Sequence, residues 1–142
     1  MDERFEAWVA LLEAHAAVMD ALDRALQDEG GIPLAWHEVL ARLAAQPEGR
    51  MRMRDLAREV LLTKSGISRL VDRLQEAGLV TRAECDTDRR VTYATITPDG
   101  RRALRAAGPA FRRTFEERFG RHLSEDEARS LRSTLARVSG RS

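Results

Sequence analysis

The chain has 142 residues, of which 33% are charged, with a net charge of +1 and a single cysteine. This length is typical of one domain that buries about two thirds of its unfolded surface, and one cysteine excludes both an intramolecular disulfide framework and a cysteine-rich zinc site. The acidic start MDERFEAW lacks the basic and apolar segments of a signal peptide, and no apolar run could cross a membrane, so we expect a cytoplasmic protein without a membrane partner.

Charge is distributed unevenly along the chain. Residues 1–49 carry 10 acidic and 3 basic groups, residues 50–105 carry 8 acidic and 13 basic groups, and residues 106–142 carry 5 acidic and 8 basic groups. A basic middle indicates a polyanionic partner for that part of the chain. A solvated arginine-rich surface is the alternative interpretation, and charge by itself leaves both open.

A heptad stripe predicts one long helix over residues 3–28. Its members alternate in spacing between three and four, and a stripe of this length predicts a large packing partner. Glycines at 30 and 31 end the helix. The stripe consists of Phe5, Trp8, Leu12, His15, Met19, Leu22 and Leu26.

Two short helices are predicted next. Pro33 opens the first, which ends at the turn sequence QPEG at 46–49; we expect its buried face to hold Trp36, Val39, Leu40 and Leu43. In the second, the predicted buried face is Leu56, Ala57 and Val60.

After a turn through residues 61–64, the segment 64–77 predicts a strongly two-sided helix. Thr63 is placed to cap it, and Gly78 is placed to end it in a left-handed conformation. Its apolar side holds Ile67, Leu70, Val71 and Leu74. Its polar side holds Ser65, Ser68, Arg69, Asp72, Arg73 and Glu76.

Residues 79–84 and 91–97 predict two strands joined by the polar turn CDTDRR. Thr97 and Pro98 then predict the start of a long helix whose apolar side holds Leu104, Phe111, Phe115 and Phe119, with a kink expected at Gly108-Pro109. Ser124 and Glu127 predict a capping box for a last helix that bears Leu131, Leu135 and Val138.

The order helix, turn, helix and two-stranded hairpin predicts a winged helix-turn-helix, mainly α-helical with a small β-hairpin wing. A B-DNA major groove is about 12 Å wide and admits one α-helix. Such a helix needs an apolar back, and a front of small hydroxyls and long cationic side chains that reach bases and phosphates. An arginine on the hairpin can enter the adjacent minor groove. Taken separately, the helix could be an ordinary surface helix and the hairpin an ordinary soluble turn.

The sequence also resembles the MarR family of bacterial transcriptional regulators. The matching segments are DLA at 55–57, SGISRLVDRLQEAGLVTR at 65–82, DTDRR at 86–90 and ITPDG at 96–100. The resemblance implies a homodimer whose terminal helices, 1–30 and 101–142, interlock, and a DNA-binding lobe over 33–100, within a single domain. It also implies a repressor of a palindromic operator, released in many members by an anionic aromatic ligand bound between the two parts.

The resemblance makes the helix at 64–77 the recognition helix, and the predicted contacts with double-stranded DNA come from this helix and from the wing. The resemblance implies that Asp88 orients the wing tip and that Arg89 enters the minor groove. The full predicted set is Thr63, Lys64, Ser65, Ser68, Arg69, Arg73, Asp88, Arg89 and Arg90.

Other candidate sites are weaker. A small aromatic ligand could contact Trp8, His15, Met19, Trp36 and His37, although core or interface packing is the simpler interpretation of these residues. We expect no metal site, since the three histidines lack ligand spacing, and no cofactor. We also expect no enzymatic activity, since no nucleophile–base motif or phosphate loop occurs. Cys85 lies beside the predicted wing, without evidence of a reactive thiolate. The rival hypothesis to DNA binding is a winged helix used as a protein-interaction module.

Overall fold

The computed structural model describes residues 2–61 and 66–141. The helices are α1 (Glu3–Ala25), α2 (Leu34–Ala44), α3 (Met53–Glu59), α4 (Ile67–Glu76), α5 (Pro98–Arg118) and α6 (Glu125–Ser139). The strands are β1 (Arg50–Arg52), β2 (Val80–Glu84) and β3 (Thr92–Ile96). A π-helical turn, Leu26–Gly30, extends α1, and a 3-10 turn, Gly120–His122, precedes α6. The predicted fold class, mainly α with a β-hairpin wing, is confirmed.

The chain divides into two compact units. One comprises residues 1–22 and 112–142, and the other comprises residues 23–111. The second unit has an apolar core supplied by α2, α3, α4 and β2 together with the π-helical turn. Its largest fully buried side chains are Leu26, Val39, Leu40, Leu43, Leu56, Val60, Val71, Leu74 and Val80.

The sheet of this second unit has three antiparallel strands in the order β1-β3-β2. The hairpin strands β2 and β3 were predicted, whereas β1 was not. Only three residues long, β1 pairs Met51 with Ala94, and both side chains are buried. A strand this short has almost no alternation to detect, and its pairing partner lies more than 40 residues away along the chain.

Several predicted ends of helices are confirmed. Gly31 and Gly78 have positive φ values of 81° and 79°, as expected for glycines that follow a helix. The Thr97 hydroxyl accepts the Gly100 N–H at 2.9 Å, so Thr97 caps α5. It also donates to the Gly78 carbonyl at 2.7 Å, which ties the end of α4 to the start of α5. Helix α5 continues through Pro109.

The burial of several predicted core positions differs from expectation. Ala57 is exposed and Trp36 is half-buried, because α3 and α2 bury narrower faces than their apolar patterns suggest. In the first unit, Leu22 is buried, whereas Phe5 and Trp8 are 51% and 52% exposed. Within this single chain the N-terminal half of the heptad stripe is therefore uncovered.

Candidate nucleic-acid interface

Helix α4 has the two-sided character that its sequence predicts. Leu70, Val71 and Leu74 are buried in the core of the second unit. Arg69 and Arg73 lie on the exposed surface, one helical turn apart. The helix therefore has an apolar back that holds it on the domain and a cationic front that is free to meet a polyanion.

The start of α4 corrects the predicted boundary of 64. The helix begins at Ile67, and the residue before it, Gly66, has φ +74°, which an α-helix cannot include. Among the residues that the structure describes, no side chain caps this end. The predicted DNA contacts Thr63, Lys64 and Ser65 lie outside the described residues.

A residue that the sequence analysis missed, Arg82 on β2, binds the polar side of α4. Its Nη1 lies 2.8 Å from Asp72 Oδ1, and its Nη2 donates to the Ser68 carbonyl at 3.0 Å. Ser68 is exposed as predicted, but its hydroxyl lies 3.5 Å from the same Nη2. The signal in the sequence was the alternation along β2, which places Arg82 on the same face as the buried Val80.

At the wing tip, Asp88 holds Arg90. Its Oδ1 accepts the Arg90 backbone N–H at 3.0 Å and the Nε at 3.1 Å. These hydrogen bonds lower the pKa of the Asp88 carboxyl. Arg89 is exposed, and among the residues that the structure describes it has no hydrogen-bond or ion-pair partner. Asp88 thus orders the loop, and Arg89 projects from it uncommitted.

Strand β1 adds cationic side chains that the sequence analysis also missed. The Arg50 guanidinium lies 4.4 Å from the centre of the Tyr93 ring. A hydrogen bond with Tyr93 raises the pKa of Arg52. A cavity of about 450 Å³ beside the wing is lined by Arg52, Met53, Arg54, Asp88, Arg90, Val91 and Thr92. Arginine side chains therefore extend from the wing onto β1 and α3.

The candidate ligand residues fall in both units. Trp8 and His15 are exposed and Met19 is half-buried, all on the part of α1 that belongs to the first unit. Trp36 and His37 are half-buried on α2 in the second unit. The His37 ring stacks on Phe111, with centroids 4.5 Å apart and planes 11° apart. Burial lowers the pKa of His37.

A cavity of about 350 Å³ lies beside this stacked pair in the second unit. Its lining includes His37 and Phe111, and also Glu38, whose carboxylate accepts the Leu61 N–H at 2.7 Å. Leu61 is the last described residue before the segment that leads to α4. The remaining lining residues are Leu34, Ala41, Arg42, Ala45, Gln46 and Glu59.

Cys85 lies at the first residue of the wing loop. Its Sγ is 3.3 Å from Thr87 Oγ1, and its backbone N–H donates to the Val91 carbonyl at 2.8 Å. The contact with Thr87 is the main cause of a lowered pKa of the thiol. The cysteine backbone thus helps to close the hairpin.

Metal-ligand clusters and membrane-spanning helices are both absent from residues 2–61 and 66–141. Over these residues, no cluster of three or more His, Cys, Asp or Glu side chains could hold a metal ion. Within the same residues, no helix is long and apolar enough to cross a membrane.

Comparison with known proteins identifies the family to which the chain is similar. The MarR family profile matches residues 30–91. The chain is 31% identical to Sco3205 of Streptomyces coelicolor, a MarR family regulator whose structure was solved in complex with DNA; the match covers 98% of this chain and 87% of that one, with a TM-score of 0.89. AbsC of the same organism is 28% identical, with 99% and 94% coverage and a TM-score of 0.90.

A curated regulator gives a further match over nearly the whole chain. The HTH-type transcriptional regulator MhqR of Bacillus subtilis is 27% identical over 139 residues, which is 96% of this chain and 92% of that protein. These relatives are transcriptional regulators and not enzymes. From its winged helix, its two-sided α4 and these similarities, the chain belongs to the MarR family of transcriptional regulators.

Proposed function

We propose that this regulator is a homodimeric repressor that binds a palindromic operator, with one winged helix on each half-site. The observation that carries the proposal is the two-sided α4 beside an uncommitted wing arginine. Leu70, Val71 and Leu74 hold the back of the helix in the core, while Arg69 and Arg73 face solvent. DNA in the cytoplasm is the polyanion that this arrangement fits.

The dimensions of the two DNA grooves explain the different roles of α4 and the wing. The major groove admits α4, and arginine can donate two hydrogen bonds to the guanine O6 and N7 atoms. The wing then meets the backbone and the narrower minor groove, where Arg89 experiences concentrated negative potential. Helix α4 therefore supplies sequence preference, and Arg89 supplies mainly affinity.

The dimer proposal is supported by uncovered apolar surface in the first unit. Large apolar side chains are exposed on α1, on the part of α5 in this unit and on α6, and exposed patches of this kind mark protein interfaces. Burying them against a second copy would remove them from water. They are Phe5, Trp8, Leu11, Leu12, Phe115 and Val138.

We propose that a small aromatic ligand binds in the cavity beside His37 and Phe111 and thereby releases the protein from its operator. An aromatic acid there could stack on this pair and place its carboxylate near the Arg42 guanidinium, in exchange for the ion pairs that Arg42 makes with Glu38 at 3.3 Å and Glu59 at 3.8 Å. Glu38, which binds the Leu61 N–H, lies in the same wall. A ligand would act only if it binds the DNA-competent and DNA-incompetent forms with different affinities.

The DNA-binding proposal is tested by titrating operator and random DNA with wild type, Arg69→Ala, Arg73→Ala and Arg89→Ala at several salt concentrations. Loss of a base-contacting arginine should cost about 1–3 kcal/mol per half-site and relax preference at one base position. Arg89→Ala should weaken binding to all sequences alike. It should also reduce the salt slope by about one unit for each phosphate that Arg89 neutralises in each subunit.

Arg129→Ala on α6 is the matched control, because Arg129 is an exposed arginine far along the chain from α4 and the wing. Half-site centres should lie roughly 10 base pairs apart, about one helical turn. Wild-type binding that ignores salt and sequence would favour the rival hypothesis of a protein-interaction module. The ligand proposal is tested separately, by screening aromatic carboxylates and phenols for release of operator DNA by wild type and by His37→Ala.

A further inference from the structure

Arg82, on the wing strand β2, points back to α4. Its guanidinium spans two successive turns of that helix, contacting Asp72 Oδ1 at 2.8 Å and the Ser68 carbonyl at 3.0 Å. Ser68 and Asp72 are four residues apart, so they lie on one ridge of the helix. Arginine suits this task because its planar fork presents two donors in a fixed geometry.

The burial of Arg82 shows that it faces the protein and not the solvent. Its side chain is 26% exposed, against 90% for Arg90 at the wing tip. Its Nε is buried, and among the described residues that atom has no hydrogen-bond partner. An unsatisfied buried donor costs stability, which offsets part of what the two contacts of Arg82 with α4 contribute.

We propose that Arg82 is a positioning residue for DNA recognition, which sets the rotation of α4 relative to the wing and neutralises Asp72. This inference rests on the proposed function and identifies a residue that acts through others. Arg82 does not contact DNA in this proposal.

Geometry gives the first reason. Arg69 and Arg73 each follow one residue after a residue held by Arg82, and successive residues of a helix are separated by about 100° around its axis. Fixing Ser68 and Asp72 against β2 therefore fixes the direction of both arginines. Base recognition depends on such placement, because hydrogen bonds weaken steeply with misalignment.

Charge gives the second reason. The Asp72 side chain is 52% exposed on the polar side of α4, where an uncompensated carboxylate would repel DNA phosphates. The Arg82 guanidinium at 2.8 Å compensates this charge. The pair thus removes a repulsion from the helix surface and fixes the helix with the same contacts.

The test compares full-length wild type, Arg82→Lys, Asp72→Asn and the double variant on operator and random DNA, with melting by circular dichroism as a check of folding. Lysine keeps the positive charge but lacks the planar guanidinium that donates to Asp72 and Ser68 together. We therefore expect Arg82→Lys to lower the ratio of operator to random-DNA affinity about tenfold while random-DNA affinity and salt slope stay near wild type.

Asp72→Asn removes the carboxylate of the same pair. Asp72 is half-exposed, and substitutions at such positions are usually well tolerated. Asp72→Asn should also lower the operator ratio, and the double variant should be no worse than Arg82→Lys alone, because paired residues act as a unit. Arg129→Lys on α6 is the matched control. Arg129 is also an arginine that pairs with acidic side chains of a helix, Glu125 and Asp126, and its replacement should leave the operator ratio unchanged.

Two results would overturn the proposal. An operator ratio unchanged in both Arg82→Lys and Asp72→Asn would mean that the pair does not position α4. Equal decreases in affinity for operator and random DNA, with a reduced salt slope, would mean that Arg82 contacts phosphate itself. A wild-type protein without operator preference would instead contradict the proposed function, so the two failures are distinguishable.

Discussion

The arginines of the second unit, residues 23–111, differ in the groups that bind them. Arg82 is bound by Ser68 and Asp72, and Arg90 is bound by Asp88. Arg89 extends into solvent. An arginine already paired within the protein gains less from a phosphate than an unpaired one, because its existing contact must be weakened first. For this reason we assign the main wing contact to Arg89.

The lowered pKa of His37 predicts how the stability of the protein depends on pH. Burial lowers its pKa in the folded protein, so the unfolded chain binds a proton more readily. Stability should then fall as the pH drops through the unfolded histidine value of about 6.5. Chemical denaturation at pH values of about 7.5 and 5.5, on either side of that value, measures this decrease in wild type and in His37→Phe, which retains an aromatic ring against Phe111.

The part of the pH dependence that belongs to His37 is the difference between the two proteins. His37→Phe should lose less stability than wild type between these pH values. Identical decreases would show that His37 titrates equally in the folded and unfolded states.

At the scale of elements, glycines shape the joints around α4 and the start of α5. Gly78 follows α4 with φ +79°, and an added Cβ would meet open space there. Gly100 lies in the first turn of α5, where a Cβ would overlap the Leu79 carbonyl oxygen and the Ile96 side chain. Gly78 is needed for its positive φ. Gly100 is needed because α5 approaches Leu79 and Ile96 too closely for a Cβ atom.

Gly100→Ala should therefore destabilise the protein, although helix propensity taken alone predicts a gain of about 1 kcal/mol. Overpacking against a backbone carbonyl should cost about 1–3 kcal/mol or more. Thermal or urea denaturation checks the sign. A more stable Gly100→Ala protein would show that α5 and Leu79 separate easily.

Substitutions at Gly78 distinguish backbone strain from the steric overlap expected at Gly100. Gly78→Ala should cost about 1–2 kcal/mol because the left-handed conformation is strained for alanine. Gly78→Asn should recover part of this stability, since asparagine tolerates that conformation. Gly100→Asn should show no such recovery.

The capping box of α6 gives a local prediction. Ser124 Oγ accepts the Glu127 N–H at 3.1 Å, and Glu127 Oε1 accepts the Ser124 N–H at 3.0 Å. Ser124→Ala should cost about 1 kcal/mol. Ser130→Ala, an exposed change within the same helix, is the control and should be neutral or slightly stabilising in the same melting experiment.

At the scale of the whole molecule, the exposed apolar surface predicts a stable homodimer. Sedimentation at micromolar concentration should give twice the chain mass of 16.0 kDa. Replacing Phe5 and Trp8 together by glutamate should shift the protein towards monomer, because two half-exposed aromatic side chains would no longer be available for burial. Glu13→Gln on the same helix is the control.

Dimerisation and operator binding are linked in this proposal. A monomer presents one winged helix and loses the advantage of two connected half-sites. The Phe5→Glu, Trp8→Glu protein should therefore bind a single half-site nearly as wild type does and lose most of its preference for the full palindrome. A wild-type monomer would remove the basis for palindrome recognition.

Local signals in the sequence were sufficient to predict most of the elements. The apolar spacing of Leu70, Val71 and Leu74 predicted the buried side of α4, and Ser124 with Glu127 predicted the cap of α6; both are confirmed. The hairpin strands were also predicted to within one residue at each end. These features depend on residues a few positions apart, where helix and strand periodicity alone determines what meets what.

Tertiary structure decided the features that join distant segments. The pairing of β1 with β3, the contact of Arg82 with α4 and the stacking of His37 on Phe111 bring together residues between 10 and 74 positions apart. A sequence reveals which residues could make such contacts, but many partners are chemically equivalent. Only the packing of the core selects among them, since it fixes where each helix and strand lies and therefore which polar side chains come within reach.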